Sequence, residues 1–278
     1  MRRNNEDRLM GGHKPTPTED PPQRGPNPMD FVTPSEFIDL PSRGRYPDGH
    51  PLKGSDTLEI RHMTAKDEDI LTSRSLLRKG VAIERLIENL LVDKSISAQH
   101  LYIGDRNAII IHARASAYGY EYKTSVTCPA CGENSKFKFD LTEFETYHGD
   151  DIEETGIEDL GDGTFKVILP LSQIEAVIRP LMGVDESFMM KKNKGKDVLE
   201  NLVTRQMKRF VVSFNGYDDD NTVNHVCDNM VATDSKHLRG CFQLISPDIK
   251  LSDNFVCRHC GHEEVMSVPF GADFFWPE

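Results

Sequence analysis

The sequence predicts an α+β fold. It comprises a small helical bundle, two β-hairpins each tipped by a Cys-x-x-Cys-Gly turn, an α/β segment inserted between the hairpins, and an extended Pro-rich N-terminal arm. Three observations predict it. Residues 1–55 hold 10 of the 16 prolines. Apolar residues recur at helical spacing over 56–119. CPACG at 128–132 and CRHCG at 257–261 stand in stretches where the apolar pattern changes to period two.

The arm comes first. Proline removes a donor and fixes the backbone, so residues 1–55 are expected to be extended, without helix or central strand. Residues 1–30 carry almost no apolar side chains and are expected to order only on binding. From Phe31 onward, Val32, Phe37, Ile38, Leu40, Tyr46 and Leu52 appear among turn formers, so 31–55 should lie along a surface, its own or a partner's.

The helical domain spans 56–119. TLEIRHM alternates as a strand, Thr64 stands as an N-cap, and Asp67 three positions later completes a capping box. Val81, Ile83, Leu86, Ile87, Leu90 and Leu91 stripe a second helix. A third, expected to be capped by Asp105, carries Ala108, Ile109, Ile111 and Ala115 up to Gly119.

Residues 120–140 form the first knuckle hairpin, and 254–278 the second with the C-terminal tail. Between them, 141–253 reads as an inserted, mainly helical domain. Its strands are TFKVILP and IEAVIRPL. Its helices are marked by Val198, Leu199, Leu202, Met207 and Phe210, by Val223, Val226 and Met230, and by Leu238, Phe242 and Ile245 behind an Asp234 cap. The likeness of the two knuckles is the one self-similarity visible; no long-period repeat is found.

The chemistry sits in the cysteines. Two residues between thiols let both sulfurs point to one side of a tight turn, and the following glycine permits a positive φ. Two such turns supply Cys128, Cys131, Cys257 and Cys260, the tetrahedral thiolate set that Zn2+ prefers and that leaves no open position. One structural zinc in a zinc-ribbon-like setting is therefore expected, with the insertion pinned at its base. His259 and His262 lie close enough to replace a cysteine, although four thiols suffice. Cys227 and Cys241 fall in apolar helical patterns and read as core thiols.

A net charge of −12 disfavours a nucleic-acid partner, whose phosphates call for a basic surface. A zinc-ribbon regulator that binds nucleic acid is the alternative from another class. No stretch reaches the ~20 apolar residues of a membrane span, and MRRNNEDRLMGGH lacks the apolar core of a signal peptide, so no membrane partner is expected and the chain reads as cytosolic in synthesis. Neither HExxH, GxxxxGK[ST], GxSxG nor GxGxxG occurs, so no enzyme and no catalytic residue is expected.

The order of features adds a family resemblance. LPSRGRYPDGHPLKG leads into a strand and the helix AKDEDILTSRSLLRKG. LYIGDRNAIIIHARASAYG then stands directly before YEYKTSVTCPACG, and a second CxxCG and a terminal FFWP close the chain. From about Phe31 to Glu278 this resembles the baseplate hub proteins of T-even-type tailed bacteriophages, which include a hub subunit and a hub assembly factor. The resemblance implies a structural or assembly role in the virion tail baseplate, assembly in the host bacterial cytoplasm, other hub proteins as partners and multiple copies in a symmetric assembly. It implies no reaction. The terminal Phe270, Phe274, Phe275 and Trp276 are expected to be buried, in the chain's own core or in a partner.

Overall fold

A computed structural model describes residues 31–152, 155–190, 202–268 and 272–275. The chain divides after Thr33, and every element below belongs to the unit Pro34–Glu278.

β1 (Ser35–Asp39) pairs antiparallel with β2 (Thr57–Arg61). The segment read from sequence as extended thus contributes one strand of a two-stranded sheet, with Pro34 before it and Pro41 after it, the flanks where a missing donor costs no ladder bond. Ile38, Leu40, Tyr46 and Leu52 are buried, whereas Phe37 on the other face is 71% exposed. The surface on which this stretch lies is the chain's own.

Helices α1 (Ala65–Thr72), α2 (Arg74–Lys79), α3 (Ala82–Leu90) and α4 (Ile103–Tyr118) follow. Thr64 caps α1 as its spacing predicts: its N–H and hydroxyl both donate to Asp67 Oδ2, at 2.8 Å each. The amphipathic α3 turns Leu86, Ile87 and Leu90 inward.

β3 (Glu121–Thr127) and β4 (Asn134–Asp140) form the first hairpin, and β11 (Ser252–Val256) and β12 (Glu263–Ser267) the second. Between them lie the short β5 (Glu145–Tyr147), a four-stranded antiparallel sheet in the order β6 (Glu158–Asp159), β7 (Phe165–Ile168), β8 (Glu175–Ile178), β9 (Val211–Phe214), the helices α5 (Gly183–Met190), α6 (Leu202–Phe210), α7 (Asp220–Asn229) and α8 (Ala232–Ile245), and finally β10 (Asp248–Lys250). Val198 and Leu199 lie outside the described residues. β10 pairs with β5, so a two-stranded ladder, and not the knuckles alone, closes the base of the intervening segment.

Two cores result. One gathers buried side chains from Ile38 to Leu141 together with Ile249, Leu251, Val268, Phe274 and Phe275; the other lies wholly within Ile157–Ile245 and includes Cys227 and Cys241. Of the four terminal aromatics, Phe274 and Phe275 are buried in the first core, Phe274 with its ring 4.8 Å from that of Tyr122. Phe270 and Trp276 lie outside the described residues. No helix among the described residues is long and apolar enough to cross a membrane.

Two expected helix caps are corrected. Asp105 and Asp234 each occupy the third position of their helix, α4 and α8, and both are buried. Asp105 accepts from Ser42 N and Oγ at 2.9 and 2.6 Å and from Tyr46 Oη at 2.6 Å; Asp234 accepts from Leu171 N and Ser172 N at 2.8 and 3.0 Å. Each carboxylate ties its helix to a distant loop, which is worth more than capping because a buried carboxylate without donors is costly.

Candidate metal centre

Both knuckles are built from one backbone pattern. Cys128 follows β3 and donates its N–H to Glu133 O at 2.9 Å, while Gly132 N donates to Cys128 O at 2.8 Å. In the second hairpin Cys257 N donates to His262 O at 2.8 Å and Gly261 N to Cys257 O at 2.9 Å. Gly132 and Gly261 both have φ of 73°, a conformation that strains any residue with a Cβ. This turn aims both sulfurs of each pair at the opposite hairpin.

The four sulfurs of Cys128, Cys131, Cys257 and Cys260 lie within 4.8 Å of one another. Cys128 Sγ is 3.7 Å from Cys260 Sγ, and Cys131 Sγ is 3.7 Å from Cys257 Sγ. A disulfide requires ~2.05 Å. With zinc–sulfur bonds of ~2.3 Å, the edge of a tetrahedron of sulfurs is about 3.8 Å, so the observed separations fit a tetrahedral zinc and exclude a covalent bridge. The donor set and its geometry are compatible with zinc.

Around the cluster is a core of three buried residues, Cys128, Phe255 and Cys257, flanked by Val126, Phe137 and Met266. The Phe137 and Phe255 rings meet edge to face at 5.8 Å and join the two hairpins. Cys131 and Cys260 are exposed. His259 is exposed as well, and His262 Nε2 stands 3.4 Å from Glu264 Oε2; neither ring joins the thiol cluster.

The electrostatics favour a cation. Amides of Cys260 and His259 directed at the Cys257 sulfur lower its pKa to about 6. At Cys131 the Glu133 amide pulls the same way, but burial and the sulfurs of Cys260, Cys128 and Cys257 outweigh it and raise the thiol to about 12. Four sulfurs this close cannot all be anionic unless a positive ion sits among them. A metal held here would have four protein ligands and no water, a structural rather than a reactive arrangement.

A second constellation is legible only in three dimensions. The GDR of α4 is a junction: Gly104 packs so tightly that an added Cβ would lie 2.2 Å from Pro247 O, Asp105 holds Ser42 and Tyr46, and Arg106 donates to Ala98 O at 2.9 Å and pairs with Glu186 at 3.2 Å. Tyr46 is sandwiched between His50 and Tyr102, at ring distances of 3.9 and 4.3 Å. Burial raises the Asp105 pKa in spite of its donors. The PSRGRY and GDR motifs are therefore two halves of one buried contact. Their polar residues within apolar surroundings were the available signal. In a cleft of about 630 Å³ beside this junction, Tyr147 Oη donates to Leu244 O at 2.7 Å and Asp248 accepts from Asn107 at 2.9 Å.

Fold and site together define an α+β protein whose two hairpins converge on a closed four-thiol cluster. The chain belongs to the family of T4 bacteriophage base plate proteins, whose model matches residues 36–276. It is a structural component of a phage tail baseplate and associates there with other baseplate proteins. Comparison with curated proteins and with solved structures finds no match.

Proposed function

We propose that this chain is a component of the baseplate hub, as subunit or assembly factor, and that Cys128, Cys131, Cys257 and Cys260 bind one structural zinc that clasps its two hairpins. The observation that carries the zinc is the convergence, within 4.8 Å, of thiols supplied by hairpins more than a hundred residues apart. The hub role rests on the motif order and on family membership. Residues 1–30, with the exposed Phe31 and Val32, form a contact arm for a neighbouring hub protein.

Mass spectrometry of purified particles against the particle-free lysate tests the hub role. A small fixed number of copies per tail makes the chain a hub subunit; abundance in the lysate with absence from particles makes it an assembly factor. Its presence in particles at the copy number of peripheral baseplate parts, with cross-links only to them, defeats the hub reading. Elemental analysis of the purified chain reads zinc directly, and one tightly held equivalent is expected.

A further inference from the structure

We infer that the chain is a tandem duplication: one module of paired strands, helices and a knuckle hairpin occurs twice, and the four-thiol cluster is where the two copies meet.

The correspondence follows the chain in order. In the first copy β1 leads through Leu40-Pro41-Ser42 to β2; in the second β7 leads through Leu169-Pro170-Leu171-Ser172 to β8. Both leucines are buried, and each donates its N–H to the residue just before the next strand, Leu40 to Asp56 O at 2.8 Å and Leu169 to Ile174 O at 2.9 Å. Ile38 faces Leu58, and Val167 faces Ala176, all four buried.

The polar contacts repeat more tellingly. Each second strand runs into Ile-Arg, and that arginine forks onto a buried aspartate at the third position of the next helix. Arg61 reaches Asp67 of α1 at 2.7 and 2.8 Å, and Arg179 reaches Asp185 of α5 at 2.8 and 3.0 Å. Each aspartate also accepts the N–H three residues before it, from Thr64 and from Met182. A third donor comes from the penultimate residue of a later helix, Asn89 of α3 and Arg209 of α6. Just beyond those helices, Leu91 bridges to Ile60 and Val211 pairs with Ile178.

Next come α4 and α8, whose third residues Asp105 and Asp234 bind the Leu-Pro loop of their own copy, at Ser42 and at Leu171 and Ser172. The interval from Asp105 to Cys128 equals that from Asp234 to Cys257, 23 residues. Even the hairpin registers agree, with Lys123 opposite Lys138 and Ser252 opposite Ser267. A buried carboxylate demands specific donors, so two sets of them in the same order and geometry point to one ancestral design.

The first copy carries a longer loop between its strands, and the second carries α7 ahead of α8. These insertions break any fixed period, which is why the repeat is invisible as periodicity. Exchanging the copies maps the Cys128–Cys260 contact onto Cys257–Cys131, and both are 3.7 Å, so the knuckles obey a local twofold. The symmetry stops there. Leu251 and Val268, the counterparts of Tyr122 and Phe139, join the first core instead of the second. The metal at the meeting point rests on the zinc reading above; the duplication does not.

The test is a full-length chimera in which residues 252–267 are replaced by the sequence of 123–138, which keeps Cys257, Cys260 and Gly261 in place. If the hairpins are equivalent, the purified chimera retains zinc at the wild-type stoichiometry by elemental analysis. A folded chimera without zinc, beside a wild type that holds it, overturns their equivalence. A wild type without zinc defeats the metal reading alone. For a chimera that does not fold, an experimental structure of the wild-type chain decides. One rotation must carry Arg61–Asp67 onto Arg179–Asp185 and Ser42–Asp105 onto Ser172–Asp234 together, and a need for two different rotations overturns the duplication.

Discussion

The two joints of this molecule are made in opposite ways. Where the hairpins meet, the Phe137–Phe255 ring pair with Val126 and Met266 is the apolar packing around four sulfurs, so little apolar surface holds the contact. Where the helices meet the strand pairs, carboxylates buried beneath large cores accept between two and five hydrogen bonds each from named donors. On the zinc reading proposed above, the first joint depends on an added cation for its charge balance; in the second, Asp67 and Asp185 meet their own arginine counter-charges, and Asp105 and Asp234 meet neutral donors. If zinc clasps the hairpins as proposed, the two joints should fail under different insults.

Removing the clasp gives the largest effect. Cys257→Ser, or stripping the metal, is expected to lower the melting midpoint on the order of 10 °C, because metal binding and local folding share one free energy. Hydrogen exchange should rise across 121–140 and 252–267 while β7 and β8 stay protected. Unchanged exchange in the hairpins would show that Phe137 and Phe255 suffice.

Asp185→Ala comes next. It strands Arg179, Arg209 and the Met182 N–H and should cost about 3 kcal/mol. Asp67→Ala strands one arginine instead of two, together with the Thr64 N–H and Asn89, and should cost about 2 kcal/mol. Urea unfolding compares them, and the reverse order would mean that Arg209 contributes nothing to the joint.

Acid sharpens the contrast further. Burial pushes both Asp67 and Asp185 upward, but hydrogen bonds from Arg61 and Thr64, and from Arg179 and Met182, outweigh it and hold each pKa below the usual range. Their stabilisation is thus complete above the unfolded value of ~3.9 and is lost as pH falls through the lower folded value. Asp105, raised by burial, has the opposite sign: its contribution is full below the unfolded value and is lost as pH rises through the folded one. In a Cys257→Ser background, which removes the metal's own acid sensitivity, the stability gap between Asp185 and Asp185→Asn should narrow below about pH 4. A gap independent of pH would refute the ion-pair account. The smallest effect is His262→Ala, which should leave zinc content unchanged; loss of zinc would make the imidazole a ligand.

Much was legible in the residues alone. The CxxCG spacing located all four thiols, because two intervening residues and a glycine impose the turn locally. Thr64 and Asp67 announced a capping box, and the period-two and helical stripes located most strands and helices. Asp105 and Asp234 read as caps because sequence shows a carboxylate near a helix start but not the loop that donates to it.

Tertiary structure alone decided the rest. It set the Ser42–Asp105 and Asp234–Ser172 contacts, the pairing of β5 with β10, the burial of Phe274 and Phe275 in the first core, and the matching order of the two Arg–Asp contacts. Local spacing is written in consecutive residues. Which distant donor meets a buried carboxylate depends on how whole elements pack, and loops of unequal length hide that pairing from any reading along the chain.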